Sequence, residues 1–152
     1  MIEILTGALV EAVATADDRR EWAVNRPSRG VHSRIVQQAA TFPQSMRACV
    51  AAIYKRESGA TLDDRTSGMG ARNPASSASG RAQFLDNSWR RPLSFHVRDR
   101  LIEFGMPKRD ARQARAWLEA THISQWPGIL QDVGMIETVE RGGYGPWGGC
   151  PR

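Results

Sequence analysis

The sequence predicts a mainly α-helical fold (α+β) with a small β-hairpin. Apolar residues recur at intervals of three and four positions in several segments, as they do on the buried face of a helix. Glycine or proline stands at the ends of these segments, where helices commonly stop or start. Residues 60–81 are polar and rich in Gly, Ser, Asn and Asp, which suits turns or a short irregular hairpin.

The first 43 residues are predicted to form a separate helical arm. Residues 2–22 have apolar side chains at helical spacing, and residues 25–30 form a link rich in helix breakers. A short helix over residues 33–42 ends at Pro43, because the residue before proline avoids the α region. The first helix lacks a basic start and contains glutamates, so we interpret it as amphipathic rather than as a signal peptide.

Residues 44–152 are predicted to form one domain. Its first helix places six residues on one face and ends at Gly59, a residue typical of the C′ position: Met46, Cys49, Val50, Ile53, Tyr54 and Glu57. Ser94 can cap a helix that runs to Phe104. Pro107 can open the next helix, with Ala111, Ala114, Trp117 and Leu118 on one side. A last helix uses Ile129, Leu130, Val133 and Ile136, and a glycine-rich tail follows over residues 142–150.

The bulk composition is that of a soluble globular protein with a basic surface. The chain has 152 residues, 41% of them hydrophobic and 24% charged. No apolar run approaches the roughly 20 residues of a membrane span. A net charge of +5 favours polyanionic partners such as nucleic acid, anionic lipid or the acidic polymers of a bacterial wall. The basic residues are scattered, and no helix-turn-helix or zinc-finger signature is present, so we do not expect a nucleic-acid partner.

The two cysteines and three histidines do not form a metal motif. Cys49 and Cys150 are too few for a structural zinc site, and no histidine stands at ligand spacing from them, so neither a metal nor another cofactor is expected. The two cysteines either stay free or form one disulfide. A bond between them would close a loop of about 100 residues and stabilise the fold by up to roughly 4–5 kcal/mol. It would also indicate work in an oxidising place.

Glu57 is the candidate catalytic residue. The helix aims it along the apolar stripe, and it lies at the C-terminal end, where the helix dipole disfavours a negative charge. Partial burial and the dipole would both favour the protonated carboxylic acid, which is the form that glycosidic bond cleavage needs. The competing interpretation is a structural glutamate paired with Lys55, Arg56 or a more distant arginine at a frayed helix end.

Three motifs in order resemble the lysozyme-like superfamily. They are Glu57-Ser58-Gly59, the stretch N-P-A-S-S-A-S-G-R-A-Q-F over residues 73–84, and Ser88-Trp89. They are most similar to the transglycosylase-like domains of resuscitation-promoting factors and phage wall hydrolases, where E-S-G ends the catalytic helix and the next stretch forms the hairpin under the glycan cleft. The resemblance is strong over residues 46–89, weaker over 125–147, and absent from residues 1–43.

The resemblance implies a peptidoglycan-cleaving enzyme that cuts the MurNAc–GlcNAc bond, with Glu57 as general acid and then base. It also implies pairing of Cys49 with Cys150. Six residues would bind substrate: Asn73, Ser77, Ser79, Gln83, Tyr144 and Trp147. Structural roles compete for each of them, since the first four could hold the hairpin and the two aromatics could pin the tail. Phe84 and Trp89 are predicted to be core residues.

A second carboxylate is not evident from the sequence. Asp63 and Asp64 are the candidates, although a solvated Asp-Asp turn is the commoner meaning of such a pair. A lysozyme needs such a partner, whereas the resembled lytic transglycosylases use the substrate's own N-acetyl and C6 hydroxyl groups, and we favour the latter route. We expect a virion or extracellular location, with residues 1–43 docking to other virion proteins. The alternative is a non-catalytic virion or wall-binding protein with the same fold.

Overall fold

The computed structural model describes residues 29–152 and confirms a mainly helical fold with a small antiparallel sheet. This part of the chain contains five α-helices: α1 (Arg29–Ala39), α2 (Gln44–Ser58), α3 (Asp86–Glu103), α4 (Lys108–Glu119) and α5 (Gly128–Gly142). The sheet pairs β1 (Ala78–Ser79) with β2 (Phe84–Leu85), and short 3-10 turns cover Ile123–Gln125 and Gly145–Trp147. None of these helices has the length and apolar character needed to cross a bilayer.

Helix α5 lies at the centre of the core. Every residue from Gly128 to Thr138 is buried, including the polar residues Gln131 and Asp132. Helix α3 packs against both α4 and α5, and α4 contributes the four side chains that its spacing predicted, all of them buried: Ala111, Ala114, Trp117 and Leu118. The four predicted apolar residues of α5 are likewise buried.

Helix α1 belongs to the same core as the helices after it. Val36 and Ala39 are fully buried and join the hydrophobic cluster that contains Val50 and Ile53 of α2. The described portion of the predicted arm, residues 29–43, therefore packs with the domain that follows it. The predicted helix over residues 2–22 lies outside the described residues, and the division of the chain at residue 43 stays a prediction.

Helix α3 begins nine residues earlier than the sequence predicted, since its N-cap is Leu85 and not Ser94. It starts at Asp86 and continues through Pro92, while Ser94 lies inside the helix and donates its hydroxyl to the Arg91 carbonyl at 2.6 Å instead of capping it. Proline disfavours a helix interior because it has no N–H to donate. Here the first turn is held from outside the helix, since the Asp86 carboxylate accepts the Ile123 N–H at 2.8 Å.

The hairpin is short and its turn is tightly specified. Ala78 pairs with Leu85 and Ser79 with Phe84, so residues 80–83 form the turn. Gly80 has φ +81°, and a Cβ at this position would lie 2.4 Å from the Gln131 side-chain oxygen. Glycine is therefore required there both by the backbone conformation and by the close approach of α5.

Candidate active site

Glu57 lies in the last turn of α2, as predicted. Gly59 ends the helix in the left-handed conformation, φ 73°, and its N–H donates to the Lys55 carbonyl at 3.1 Å. The Glu57 side chain is 28% exposed, and its Oε2 accepts a hydrogen bond from Arg56 Nε at 2.8 Å. Among residues 29–152, Arg56 is the side-chain partner of this carboxylate. That ion pair is one of the structural pairings that the sequence left open.

The hairpin turn is fastened to the end of α2. Ser58, the residue after Glu57, donates its hydroxyl to the Arg81 carbonyl at 2.7 Å. Arg81 is in the turn between β1 and β2, so the Glu57-Ser58-Gly59 motif and the 73–84 motif meet in space. This contact places the backbone of the hairpin turn against Ser58 at the end of α2, one residue after Glu57.

The C-terminal tail reaches the same place. A disulfide joins Cys49 of α2 to Cys150, with a Cα–Cα distance of 5.2 Å. Trp147 is 8% exposed, and its indole N–H donates to the Ala82 carbonyl at 2.8 Å. Its ring contacts Phe84, whose ring contacts Trp89 in turn, with centroid distances of 5.3 and 5.2 Å. Trp147 therefore pins the tail to the hairpin and leaves little of its own ring for a sugar.

Arg56 links the tail to the candidate acid. Its Nη2 donates to the Trp147 carbonyl at 2.9 Å while its Nε donates to Glu57. The end of α2, the hairpin turn and the tail are thus connected through hydrogen bonds of Arg56 and Ser58, the two neighbours of Glu57 in the chain, and of Trp147. These three segments are far apart in sequence.

The four hairpin residues predicted to bind substrate all make hydrogen bonds within or beside the hairpin. The Asn73 side chain accepts the Ala75 N–H at 2.8 Å, and Ser77 donates to Asn87 Oδ1 at 2.8 Å. Ser79 is buried and donates to the Ser77 carbonyl, while Gln83 adopts φ 57° and donates to the Gly80 carbonyl at 2.9 Å. Each residue supports the hairpin, and a contact to substrate stays a prediction for all four.

Tyr144 is half-buried against the core, and this burial raises the pKa of its phenol. Its predicted stacking on a sugar stays a prediction.

Asp63 and Asp64 are exposed and already engaged. Asp63 pairs with Arg47 at 2.9 Å. Arg47 lies ten positions before Glu57, about 15 Å along a helix. Asp64 accepts hydrogen bonds from the hydroxyl and N–H of Thr66, which lower its pKa and close a turn. Within the described residues neither carboxylate contacts Glu57, so a second catalytic carboxylate has no support from these contacts.

A buried polar network that the sequence did not reveal holds the hairpin turn against α2 and α5. Arg81 Nε and the Tyr54 hydroxyl both donate to Asp132 Oδ1, at 2.9 and 2.6 Å. The other nitrogens of Arg81 donate to backbone carbonyls of the loop after α2, including that of Leu62 at 2.8 Å. Burial, followed by the nearby Asp132 charge, raises the pKa of Tyr54 well above its usual range. The two polar residues between Leu130 and Val133, on an otherwise apolar stretch of helix, were the available signal for this network.

Gln131 completes the support of the turn. Its side-chain oxygen accepts the Arg81 N–H at 2.8 Å, and its amide nitrogen donates to three carbonyls, those of Met69, Ile123 and Trp126. The donor and the acceptor end of this buried amide are therefore both engaged in fixing loops against α5.

Two further features lie away from Glu57. A cavity near the start of α2 is lined by Thr41, Phe42, Arg47, Leu62, Asp63 and Arg65. Over residues 29–152, no group of three or more His, Cys, Asp or Glu side chains is placed to hold a metal ion.

Comparison of the chain with protein-family models, curated proteins and solved structures gave no match. The assignment of a function therefore rests on the residues and their geometry.

Proposed function

We propose that this protein is a peptidoglycan-cleaving enzyme with a lysozyme-like fold that cuts the MurNAc–GlcNAc bond, with Glu57 as its catalytic acid. One observation carries the proposal. Three segments that the resemblance covers, the end of α2, the hairpin turn and the tail, are joined next to Glu57 by the bonds from Ser58 to Arg81, from Trp147 to Ala82 and from Arg56 to Trp147. A half-buried carboxylate on a rigid helix end beside a supported hairpin is suited to proton transfer to a bound glycan.

The favoured reaction is that of a lytic transglycosylase. Protonated Glu57 gives its proton to the glycosidic oxygen as the bond to C1 of MurNAc breaks, and GlcNAc leaves with a free hydroxyl. The Glu57 carboxylate then takes the proton of the MurNAc C6 hydroxyl, whose oxygen bonds to C1 and forms the 1,6-anhydro sugar. The N-acetyl group of the substrate assists at C1. This route needs one protein carboxylate, in keeping with the engagement of Asp63 and Asp64 elsewhere.

The Arg56–Glu57 ion pair must open for this chemistry. Arg56 is 46% exposed, and surface pairs of this kind contribute about 0–1 kcal/mol. A glycan that displaces the guanidinium and excludes water therefore meets a small energetic barrier from the pair. Arg56 can keep its second bond, to the Trp147 carbonyl, when it leaves Glu57.

The disulfide supports a place of action outside a reducing cytoplasm, because such bonds persist in oxidising environments. A wall-degrading enzyme delivered by a virion or acting at the cell surface fits that condition.

Clearing of cell walls embedded in a gel tests the proposal. The native chain should clear the wall substrate and Glu57→Gln should not, since the amide keeps the shape of the side chain and cannot donate an acidic proton. Glu103→Gln is the matched control, because Glu103 is exposed at the end of α3 and makes no ion pair within residues 29–152. Clearing by Glu57→Gln at the native rate would refute the role of Glu57.

The second candidate function is a non-catalytic wall-binding or virion protein. The observation that favours it is the Arg56–Glu57 ion pair, which gives the carboxylate a structural partner. Sedimentation of the protein with intact walls, together with no clearing by the native chain, would support this candidate over the enzyme.

A further inference from the structure

Three arginines surround one aromatic ring on the surface formed by α3 and α4. The guanidinium carbons of Arg91, Arg98 and Arg115 lie 5.5, 4.7 and 4.8 Å from the centroid of the Phe95 ring. Arg91, Phe95 and Arg98 share a face of α3 because they are four and three positions apart, and Arg115 reaches the ring from α4. Cation–π attraction to the ring offsets part of the repulsion among the three charges.

The same surface continues along α4. Lys108 and Arg112 are exposed and stand seven and three positions before Arg115, so these three basic residues follow one face of the helix. We call Arg91, Phe95, Arg98, Lys108, Arg112 and Arg115 the Phe95 basic surface. Two carboxylates border it. Glu119 pairs with both Arg91 and Arg115, and Asp99 is shared between Arg98 and Arg141.

The basic residues of this surface outnumber the acidic ones, and Arg91, Lys108 and Arg112 are exposed to solvent. Arg91 is 74% exposed in spite of its 3.2 Å contact with Glu119, and Arg112 makes no ion pair with any of residues 29–152. Positive charge that is gathered in one place and incompletely neutralised attracts a polyanion, and guanidinium groups match phosphate oxygens in two-point hydrogen bonds.

We propose that the Phe95 basic surface binds the phosphodiester polymers attached to bacterial cell walls, of the poly(alditol phosphate) type. The choice of a wall polymer as the polyanion rests on the proposed function, while the Cys49–Cys150 disulfide independently favours a partner outside the cytoplasm. Repeating phosphates along a flexible chain can occupy several of these arginines at once. Binding there would hold the enzyme on its insoluble substrate without occupying the Glu57 site.

Sedimentation with purified walls tests this inference. The full chain carrying Glu57→Gln is mixed at about 0.15 M salt with walls that retain poly(glycerol phosphate) and with the same walls after hydrofluoric acid has removed it. Binding should be stronger to the untreated walls and should weaken as salt is raised, because ion pairing with phosphates is screened. Equal binding to both wall preparations, or binding to neither, would overturn the proposal.

Paired variants locate the surface. Arg91→Gln with Arg112→Gln removes one ion-paired and one unpaired arginine of the Phe95 basic surface. It should weaken binding to untreated walls by roughly 3- to 30-fold. Arg34→Gln with Arg47→Gln removes from α1 one arginine that makes no ion pair with any of residues 29–152 and from α2 one that is ion-paired, and should leave binding within about twofold of the parent.

Equal losses in the two double variants would contradict the assignment, as would tighter binding to a short DNA duplex than to untreated walls. These outcomes are distinct from failure of the proposed function, because binding is measured without turnover and clearing is measured with the native Glu57.

Discussion

Arg81 and Asp132 form an ion pair that is closed off from solvent. Arg81 Nε lies 2.9 Å from Asp132 Oδ1, and both side chains are 0% exposed. The pair joins the hairpin turn to α5, and the guanidinium also lies 4.6 Å from the centroid of the Tyr54 ring on α2. Since the carbonyl of Arg81 accepts the Ser58 hydroxyl, this buried pair also helps to set the position of the turn against the end of α2, where Glu57 lies.

Asp132→Asn is expected to destabilise the fold by about 3–5 kcal/mol, because it leaves the Arg81 guanidinium buried without a counter-charge. The free energy of unfolding from urea titrations measures the loss. Asp63→Asn is the matched control, since Asp63 is 78% exposed in its pair with Arg47 and should cost at most about 1 kcal/mol. Similar losses of unfolding free energy in the two variants would mean that the buried Arg81–Asp132 pair stabilises the fold no more than an exposed pair does.

Ionised Asp86 should stabilise the fold, and this stabilisation should be lost at acid pH. Burial alone raises the pKa of Asp86, but hydrogen bonds from Arg90 and the Ile123 N–H, with the charges of Arg90 and His122, outweigh burial and lower it below 3.8. A carboxylate whose pKa is lowered by folding stabilises the protein above its unfolded pKa, and that stabilisation disappears as the pH falls through the lowered value.

Asp86→Asn is therefore expected to cost about 1–3 kcal/mol at neutral pH, with a gap to the native protein that narrows as the pH drops below about 5. Urea titrations at a series of pH values measure the gap. A gap that stays constant down to acid pH would show that the Asp86 charge is not the source of the stabilisation.

Replacement by alanine should destabilise the protein at Gly80 and should not destabilise it at Gly142. Gly80→Ala places a Cβ 2.4 Å from the Gln131 oxygen at φ +81°, and the strain and the clash together should cost about 2–4 kcal/mol. Gly142 is the last residue of α5, and a Cβ there would meet no other atom. Gly142→Ala should therefore raise the free energy of unfolding by between 0 and about 1 kcal/mol. Thermal unfolding measures both, and a tolerated Gly80→Ala would show that the turn can move away from α5.

The Cys49–Cys150 bond closes the chain over a separation of 101 residues. In the chain-entropy model, replacing both cysteines with serine lowers the free energy of unfolding by about 4–5 kcal/mol. A reductant should lower the melting temperature of the native chain towards that of the double variant and should not affect the variant itself. An unchanged melting temperature of the native chain in reductant would contradict a stabilising disulfide.

The parts of the fold that the sequence predicted well are those that depend on local pattern. Helical spacing located the buried faces of α4 and α5, and Gly59 marked the end of α2, because side-chain direction follows directly from helix geometry. The start of α3 was missed because Pro92 is a local breaking signal, whereas the bond from Ile123 to Asp86 that supports the first turn is a tertiary contact.

The parts of the candidate site that were missed depend on contacts between distant residues. Nothing near Arg81 in sequence indicates that Asp132 neutralises it, and nothing near Trp147 indicates that its carbonyl holds Arg56. The sequence named Glu57 as the candidate acid and Arg56 as one of its possible partners; the ion pair with Arg56 is observed, and the catalytic role of Glu57 stays a prediction.

Mass spectrometry of purified peptidoglycan after incubation with the protein tests the central claim most directly. The native chain is expected to release fragments that end in 1,6-anhydro-MurNAc, each one water lighter than its hydrolysed counterpart, and Glu57→Gln is expected to release none. Fragments with ordinary reducing ends would show that the protein cleaves the bond by hydrolysis and not by the transglycosylase route. No fragments from the native chain, or the same fragments from Glu57→Gln, would contradict the role of Glu57 as the catalytic acid.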